Sequence, residues 1–519
     1  MSGARDPAGV RELPPVDLKP LLARLWPLGH PDPVSPDQIA EAISYFFTNQ
    51  VSDAQAGALL MCLHFTGLDR QAEVLAKTAQ CMLKAAAKID QSALRAVIEG
   101  RRRKEGGYEG GLVDIVGTGG DSHNTFNIST TASILASSLL FIAKHGNKAS
   151  TSKSGSADLL NCMEPRPPQI ARIRPDTIAE LYSHTNYGFL FAPVFHPGMR
   201  YVAPIRRELP WRTIFNLVGP LANPTDLHDD DAGSPGGSGS RPPPLLEARM
   251  IGVARKDIGP AFARALQLAG ARKALVVCGD EELDEISCAG DTLCWRIRPD
   301  PSDPSATVTE HFLLHPRHFG LPAHPLADVS PGKEPAENAA ILRRILDGAV
   351  PDDDPILHFV LINTAALFVV SGICDADTSD MGPGDDGVVI KERGPGGGRW
   401  KEGVRRARWA IRSGEAARQW ANLFNLALSL CRLRFNARFD VGCDVGCDVG
   451  CDVGCDVGFD VGFDVGFDVG FDVGCDVGCD VGFDVGFDVG FDVGFDVGFD
   501  VGCDAGFDGT VPFFFPSPS

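Results

Sequence analysis

Three stretches of the chain carry groups that could do chemistry together. The first runs Gly117-Thr118-Gly119-Gly120-Asp121, followed by Asn124, Thr125, Asn127, Ser129 and Thr130. Glycines without Cβ let successive backbone N–H groups close on a phosphate. A helix N-terminus behind them adds free donors and the positive end of its dipole. The hydroxyls of Ser129 and Thr130 could ligate a phosphate oxygen or a metal. The second stretch, Lys144-His145-Gly146-Asn147, reads as a cationic loop whose lysine supplies a point charge. The third, Gly279 to Glu285, gathers Asp280, Glu281, Glu282, Asp284 and Glu285. Such oxygen ligands suit Mg2+ held jointly with a pyrophosphate, although an acidic turn is often merely solvated. A lone glycine triplet equally suits a tight strand-to-helix turn; the hydroxyl cluster and the cationic stretch favour phosphate. Neither G-x-G-x-x-G nor G-x-x-x-x-G-K-[ST] is present, so the loop points to a phosphorylated sugar more than to NAD or ATP.

Each stretch sits where strand and helix patterns meet. Leu112 to Val116 is an apolar run of strand length, an Ala/Ser/Ile/Leu segment from about Thr131 suits a buried helix, and a second short apolar run ends in Lys144. Ala248 to Val253 and Lys273 to Cys278 read as strands with a helix between them at Gly259 to Ala269, so the acidic stretch follows a core strand at the sheet edge where ligand loops gather. His311 to Phe319 reads as a strand, Asn338 to Leu346 as a helix, Ile356 to Val370 as a buried helix, and Lys401 to Gln419 as one closing helix. Upstream, Ser35-Pro36 and Ser52-Asp53 look like helix starts. The expected fold class is α/β: a small N-terminal helical domain over 16–105, then a larger α/β domain over 106–420 with a central, mostly parallel sheet. Residues 1–15 read as a disordered lead, 175–200 as packing back on the helical domain, and 226–244, rich in Gly, Ser, Pro and Asp, as a surface loop insertion. Phe191 to Pro224 reads as a loop and helix in which Arg206 and Arg207 lie between apolar neighbours; either guanidinium could face a carboxylate-bearing ligand or form a surface salt bridge.

Composition divides the chain. Of the formal net charge of −20, eighteen carboxylates are the Asp residues recurring every fourth position from Asp440 to Asp508, so the preceding residues are near neutral, which argues against nucleic-acid binding. Seven of the fifteen cysteines also lie in this segment, and the others form no C-x-x-C pair, so buried thiols in a reducing compartment are expected. No signal peptide or membrane-length apolar run is evident, and a cytoplasmic protein is expected. From Phe439 to Gly506 the chain is seventeen tetrapeptides of [FC]-D-V-G, one with Ala for Val. Period four matches neither helix nor strand, and this atypical tail over 421–519 is expected to be disordered, with a solenoid coil and a translated minisatellite or wrong gene model the alternatives.

GTGGD, NIST and KHGN followed by GSAD, in that order, resemble the anthranilate phosphoribosyltransferases, as does the long run FAPVFHPGMRYVAPIRRELPWRTIFNLVGPLANP from Phe191 to Pro224. The resemblance covers roughly residues 15 to 420 and is most similar to the fungal forms. It implies transfer of the phosphoribosyl group of phosphoribosyl pyrophosphate (PRPP) to anthranilate in tryptophan biosynthesis, with Mg2+ as cofactor, and a homodimer through the helical domain. It implies a PRPP site of Gly117, Gly120, Asp121, Thr125, Asn127, Ser129, Thr130, Lys144, Ser152 and Ser156. Metal ligands would be Ser129, Asp284 and Glu285; anthranilate would meet Gly117, Asn147, Arg206 and Pro220; Lys144, Asn147 and Arg206 would be catalytic. His145 and His196 invite assignment as a base, but anthranilate's amine is already uncharged, and His145 is read as shaping the loop or packing against anthranilate. Pro210 departs from the glycine usual after Arg-Glu-Leu, which puts the aim of Arg206 in question. Two other readings are a pyrimidine nucleoside phosphorylase-like enzyme, similar in fold, and a non-catalytic scaffold acting through the repeats.

Overall fold

A computed structural model describes residues 13–149, 154–164, 167–226, 244–303, 305–330 and 334–424. The repeat segment, residues 227–243 of the insertion and Ser152 lie outside the described residues.

The chain opens with five helices: α1 (Lys19–Leu25), α2 (Pro36–Ser44), α3 (Asp53–Thr66), α4 (Ala72–Lys84) and α5 (Gln91–Arg101). Ser35 and Gln38 cap α2 reciprocally, side chain to backbone in both directions at 3.3 and 3.1 Å, satisfying two donors the helix start leaves open. The apolar stripes meet at Ile39, Ile43, Leu59, Leu63, Val74 and Leu75, all fully buried. The same cluster runs on into Ile251, Phe262 and Val276 of the sheet domain, so helices and sheet share one core.

A seven-stranded sheet has the order β3-β2-β1-β4-β5-β6-β7. Its strands are β1 (Leu112–Gly117), β2 (Phe141–Gly146), β3 (Tyr187–Phe191), β4 (Leu246–Gly252), β5 (Ala274–Gly279), β6 (Thr292–Pro299) and β7 (Thr307–Leu314). The first five pair in parallel and β6 and β7 add antiparallel, the mostly parallel sheet expected. Strand order reverses beside β1: β2 and β3 are laid down on one side of it, β4 and β5 on the other. Ligands of open α/β sheets bind in the crevice at such a point, beyond the carboxyl ends of the strands. Here β1, β2, β4 and β5 all end there in glycine: Gly117, Gly146, Gly252 and Gly279.

Helices α6 (Ile128–Ala136), α7 (Ser156–Leu160), α8 (Ile178–His184), α9 (Ala192–Phe195), α10 (Met199–Glu208), α11 (Ile214–Val218), α12 (Gly259–Leu268), α13 (Pro335–Leu346), α14 (Pro355–Ser371) and α15 (Trp400–Arg412) complete the described chain. Phe191 to Pro224 is therefore three short helices with turns rather than a loop and one helix. Helix α6 starts at Ile128, which brings Ser129 and Thr130 into its first turn. The Lys144 stretch is the end of buried strand β2, not a loop. Helix α14, apolar on all sides, is buried to its last residue, as such a helix must be in water; among the described residues no helix is long and apolar enough to cross a membrane. The closing helix is broken: Gly414 takes φ +73°, and residues 415–424 form a separate helical segment. Gln419 of that segment accepts from the Asn186 N–H (2.8 Å) at the entry to β3.

Helix α15 is held by a buried ionic cluster. The Glu402 carboxylate and the Arg406 guanidinium, both fully buried, meet at 2.8 Å, and Arg406 also reaches Glu105 at 2.7 Å. Removing Glu402 leaves the buried Arg406 guanidinium with Glu105 alone. Glu402→Ala is expected to cost about 3–5 kcal/mol of stability, seen as a lower urea midpoint; a loss under about 1 kcal/mol, the scale of an exposed pair, contradicts this.

Candidate active site

A cleft of about 630 Å³ opens at the carboxyl ends of β1 and β2, between the sheet and the helices α4 and α10. One wall is the loop from β1 into α6. Gly119 and Gly120 take φ +65° and +75°, a backbone region that side chains with a Cβ resist. Gly117, Gly120, Asp121, Thr125, Asn127 and Ser129 all line the cleft. The Asn127 N–H donates to the Asn338 carbonyl oxygen Oδ1 on α13 (3.1 Å), which ties down the start of α6.

The loop after β5 folds across the ends of β1 and β4. Asp284 Oδ2 accepts from the Gly119 N–H at 2.6 Å. A Cβ on Gly117 would come within 2.3 Å of that same oxygen, and one on Gly252 within 1.5 Å of the Asp284 carbonyl oxygen. Both strand-end glycines are thus required by the approach of the acidic loop.

Asp284 and Glu285 both line the cleft. Burial, then the negative charge of Asp121, pushes the Asp284 carboxyl up to about 7, against the pull of the Gly119 N–H and Arg212. Burial and then Asp284 push Glu285 well above the ordinary carboxylate range. With the Ser129 hydroxyl this is an oxygen-only donor set of crowded carboxylates, and a divalent cation relieves such repulsion. The set therefore fits Mg2+. Among the described residues no three His, Cys, Asp or Glu side chains form a self-sufficient metal site, so a cation here would draw further oxygens from a bound ligand, as Mg2+ commonly does with phosphates.

Lys144 forms the floor. Its Nζ donates to the Ile115 carbonyl (2.8 Å). Burial holds its pKa below the usual lysine range, opposed by Asp114, Glu285 and Asp284. Asp114, buried in β1, accepts from Asn223 Nδ2 (2.9 Å) and the His145 N–H (3.3 Å). Burial raises its pKa, with Lys144 the first opposing charge. Asn147, Arg206 and Pro220 line the cleft, as does Ser156 at the start of α7. Arg206 is largely buried, with its Cζ 5.9 Å from the Phe215 ring centroid; burial and then Arg212 depress its pKa. Among the described residues it has no ion-pair or hydrogen-bond partner. Pro210 does not turn it out of the cleft. Thr130, by contrast, is fully buried beside the cleft and does not line it. His145 and His196 face each other there with ring centroids 5.1 Å apart. Burial, then His196, holds His145 well below its ordinary pKa, and burial brings His196 down to about 4.

Three features went unnoticed in the sequence. Asp114 was a lone acid inside an apolar strand, and that oddity was its signal. Its partner Asn223 is the last residue but one of the long Phe191–Pro224 motif run. Arg212 gave no local signal: its guanidinium donates to the Thr118 carbonyl (2.5 Å) and also to that of Gly119, on the far side of the loop.

A glycine loop feeding a helix, a buried carboxylate pair and a helical domain closing one side of the cleft are features that a glycosyl-transferring α/β protein would carry. Residues 109–230 and 242–417 match the a/b domain of a glycosyl transferase family, and residues 19–86 match its helical bundle domain. The anthranilate phosphoribosyltransferase of Schizosaccharomyces pombe is 36% identical over 390 residues, 74% of this chain and 91% of that protein. The Saccharomyces cerevisiae enzyme is 33% identical over 382 residues, 72% and 87% of the two chains. A solved structure of the S. cerevisiae enzyme in complex with PRPP and Mg covers 79% of this chain and 97% of its own, with a TM-score of 0.61 and 29% identity; another, in complex with 4-fluoroanthranilate, has a TM-score of 0.60 at 28% identity, covering 79% and 96%. The chain belongs to the anthranilate phosphoribosyltransferase family.

The raised Asp284 pKa has a measurable consequence. The folded state keeps a proton that the unfolded chain loses near pH 4, so this group withdraws stability as pH rises from about 4 to about 7. In metal-free protein, Asp284→Asn is expected to melt at a higher temperature than wild type at pH 8, with the gap closing toward pH 4. Melting curves that stay parallel across that range contradict the assignment.

Proposed function

We propose that the chain transfers the phosphoribosyl group of PRPP to anthranilate, giving N-(5-phosphoribosyl)anthranilate and pyrophosphate, the tryptophan-pathway reaction of its family. The observation that carries this is Arg206: a largely buried guanidinium without a partner among the described residues, in the same cleft as the glycine loop and the carboxylate pair. A buried cation of this kind calls for an anion, and a planar fork suits a carboxylate.

The bond from C1′ to the pyrophosphate oxygen breaks, the amine nitrogen bonds to C1′, and the amine loses a proton. Positive charge develops on the ribose ring and negative charge on the leaving group, so catalysis rests on electrostatic stabilisation and alignment. Gly117, Gly120, Asp121, Thr125, Asn127 and Ser129 would hold the diphosphate, with Lys144 and Ser156, and in the same proposal Ser152; Thr130, fully buried beside the cleft, is left out of this set. Ser129, Asp284 and Glu285 would hold Mg2+, which when bound neutralises charge on the departing pyrophosphate. Asn147, Arg206, Pro220 and Gly117 would hold anthranilate, Arg206 by its carboxylate, leaving the amine toward C1′. Neither histidine suits the role of base: at a pKa near 4, His196 has little proton affinity at neutral pH.

The proposal extends to a cytoplasmic homodimer. Supporting it, Trp26 and Leu28, just after α1, and Met61 and Phe65 of α3 stand exposed, apolar surface of the kind that marks association sites. All seven described cysteines are free thiols, in keeping with a reducing compartment.

Anthranilate fluorescence is expected to fall on addition of PRPP and Mg2+ and to persist with EDTA. Arg206→Ala should raise the KM for anthranilate by about 10- to 150-fold, the equivalent of a charge-assisted hydrogen bond, and leave the KM for PRPP nearly unchanged; an equal rise in both contradicts the assignment. Phe65→Glu is expected to convert a dimer into a monomer in light scattering, and a dimer that survives it places the interface elsewhere.

A further inference from the structure

The carbonyl side of the phosphate-binding loop is held by one side chain. A loop that turns its N–H groups toward an anion turns its carbonyls the other way, and those carbonyls need donors of their own. The Arg212 guanidinium supplies them to Thr118 and Gly119 together, one nitrogen to each. It occupies the volume that a Cβ on Gly120 would take, 1.6 Å from the Arg212 nitrogen Nη1. Residues 117–121 line the cleft and Arg212 is not among its lining residues. Its charge acts on Asp121 and Asp284, the acids that flank the loop from either side.

The root of this side chain is fixed on both sides. Trp211 packs against Phe65 of α3, ring centroids 5.3 Å apart. The Thr213 N–H donates to Asn216 Oδ1 (3.0 Å) at the start of α11. The fork is thus braced against the helical part of the molecule while its tip grips the glycine loop. A guanidinium can satisfy two successive carbonyls in one rigid plane, whereas an ammonium on a flexible stem offers one movable point of charge.

We propose that Arg212 is a positioning residue for the diphosphate of PRPP: by gripping the Thr118 and Gly119 carbonyls it fixes the peptide planes of the loop, including the one whose N–H meets Asp284. The inference rests on the PRPP reading above. It is tested by calorimetric titration of PRPP with Mg2+, alongside turnover, for wild type, Arg212→Ala and Arg212→Lys. Arg212→Ala is expected to weaken PRPP binding by about 10- to 100-fold, the loss of two charge-assisted hydrogen bonds moderated by solvent, with the KM for anthranilate within about threefold of wild type. Arg212→Lys, which keeps charge and bulk and guards against a variant that fails to fold, should recover little of the loss. Full recovery by lysine would overturn the grip in favour of charge compensation alone. PRPP affinity unchanged in both variants, or a lowered melting temperature with both ligands equally affected, would overturn it as well. Wild type that binds PRPP but transfers nothing would defeat the reaction assigned to the chain, while the same titrations would still decide the role of Arg212.

Discussion

Everything at the cleft depends on how closely the loop after β5 comes to the loop after β1. The contact is short, Asp284 Oδ2 to the Gly119 N–H at 2.6 Å, and it exists because Gly117 and Gly252 leave room for it. It brings two buried carboxylates to the mouth of the glycine loop, where burial disfavours the charge on each. Burial raises both pKa values, helped by the charge of Asp121 at Asp284 and by that of Asp284 at Glu285, and a divalent cation would relieve that crowding.

The rest of the fold supports that approach. Reversal of strand order beside β1 opens the crevice. The buried Asp114, held by Asn223 and facing the charge of Lys144, fixes the ends of β1 and β2 against each other. The helical domain shares its core with the sheet, so α10 can carry Arg206 to the cleft and the turn between α10 and α11 can carry Arg212 to the loop from one base.

Much of this was legible in the sequence, and what was not follows a pattern. The glycine loop, the Lys144 stretch and the acidic run were visible because each is local: residue types at fixed spacing beside a strand-length apolar run. The sheet's mostly parallel character followed from alternating strand and helix patterns. Strand β6 was missed because arginines interrupt its apolar alternation at Arg296 and Arg298, and the break at Gly414 because one glycine in a helical pattern is often tolerated. The pairing of Gly119 with Asp284, and of Arg212 with the Thr118 carbonyl, joins positions far apart in the chain. Sequence shows such side chains but not the distances between them. Lys144 shows the same limit in reverse: its charge was evident, but its burial beneath the loop was not.

The central claim is that the crowded carboxylates at Asp284 and Glu285 receive the cation that accompanies PRPP. The most direct measurement is proton release when preformed Mg2+–PRPP binds, taken from calorimetric titrations at pH 6.5 in buffers of different ionisation enthalpy. A cation placed on those carboxylates drives off the protons they hold, so wild type is expected to release more protons than Asp284→Asn. Equal release from the two proteins, with binding intact in both, would show that the cation does not reach this pair.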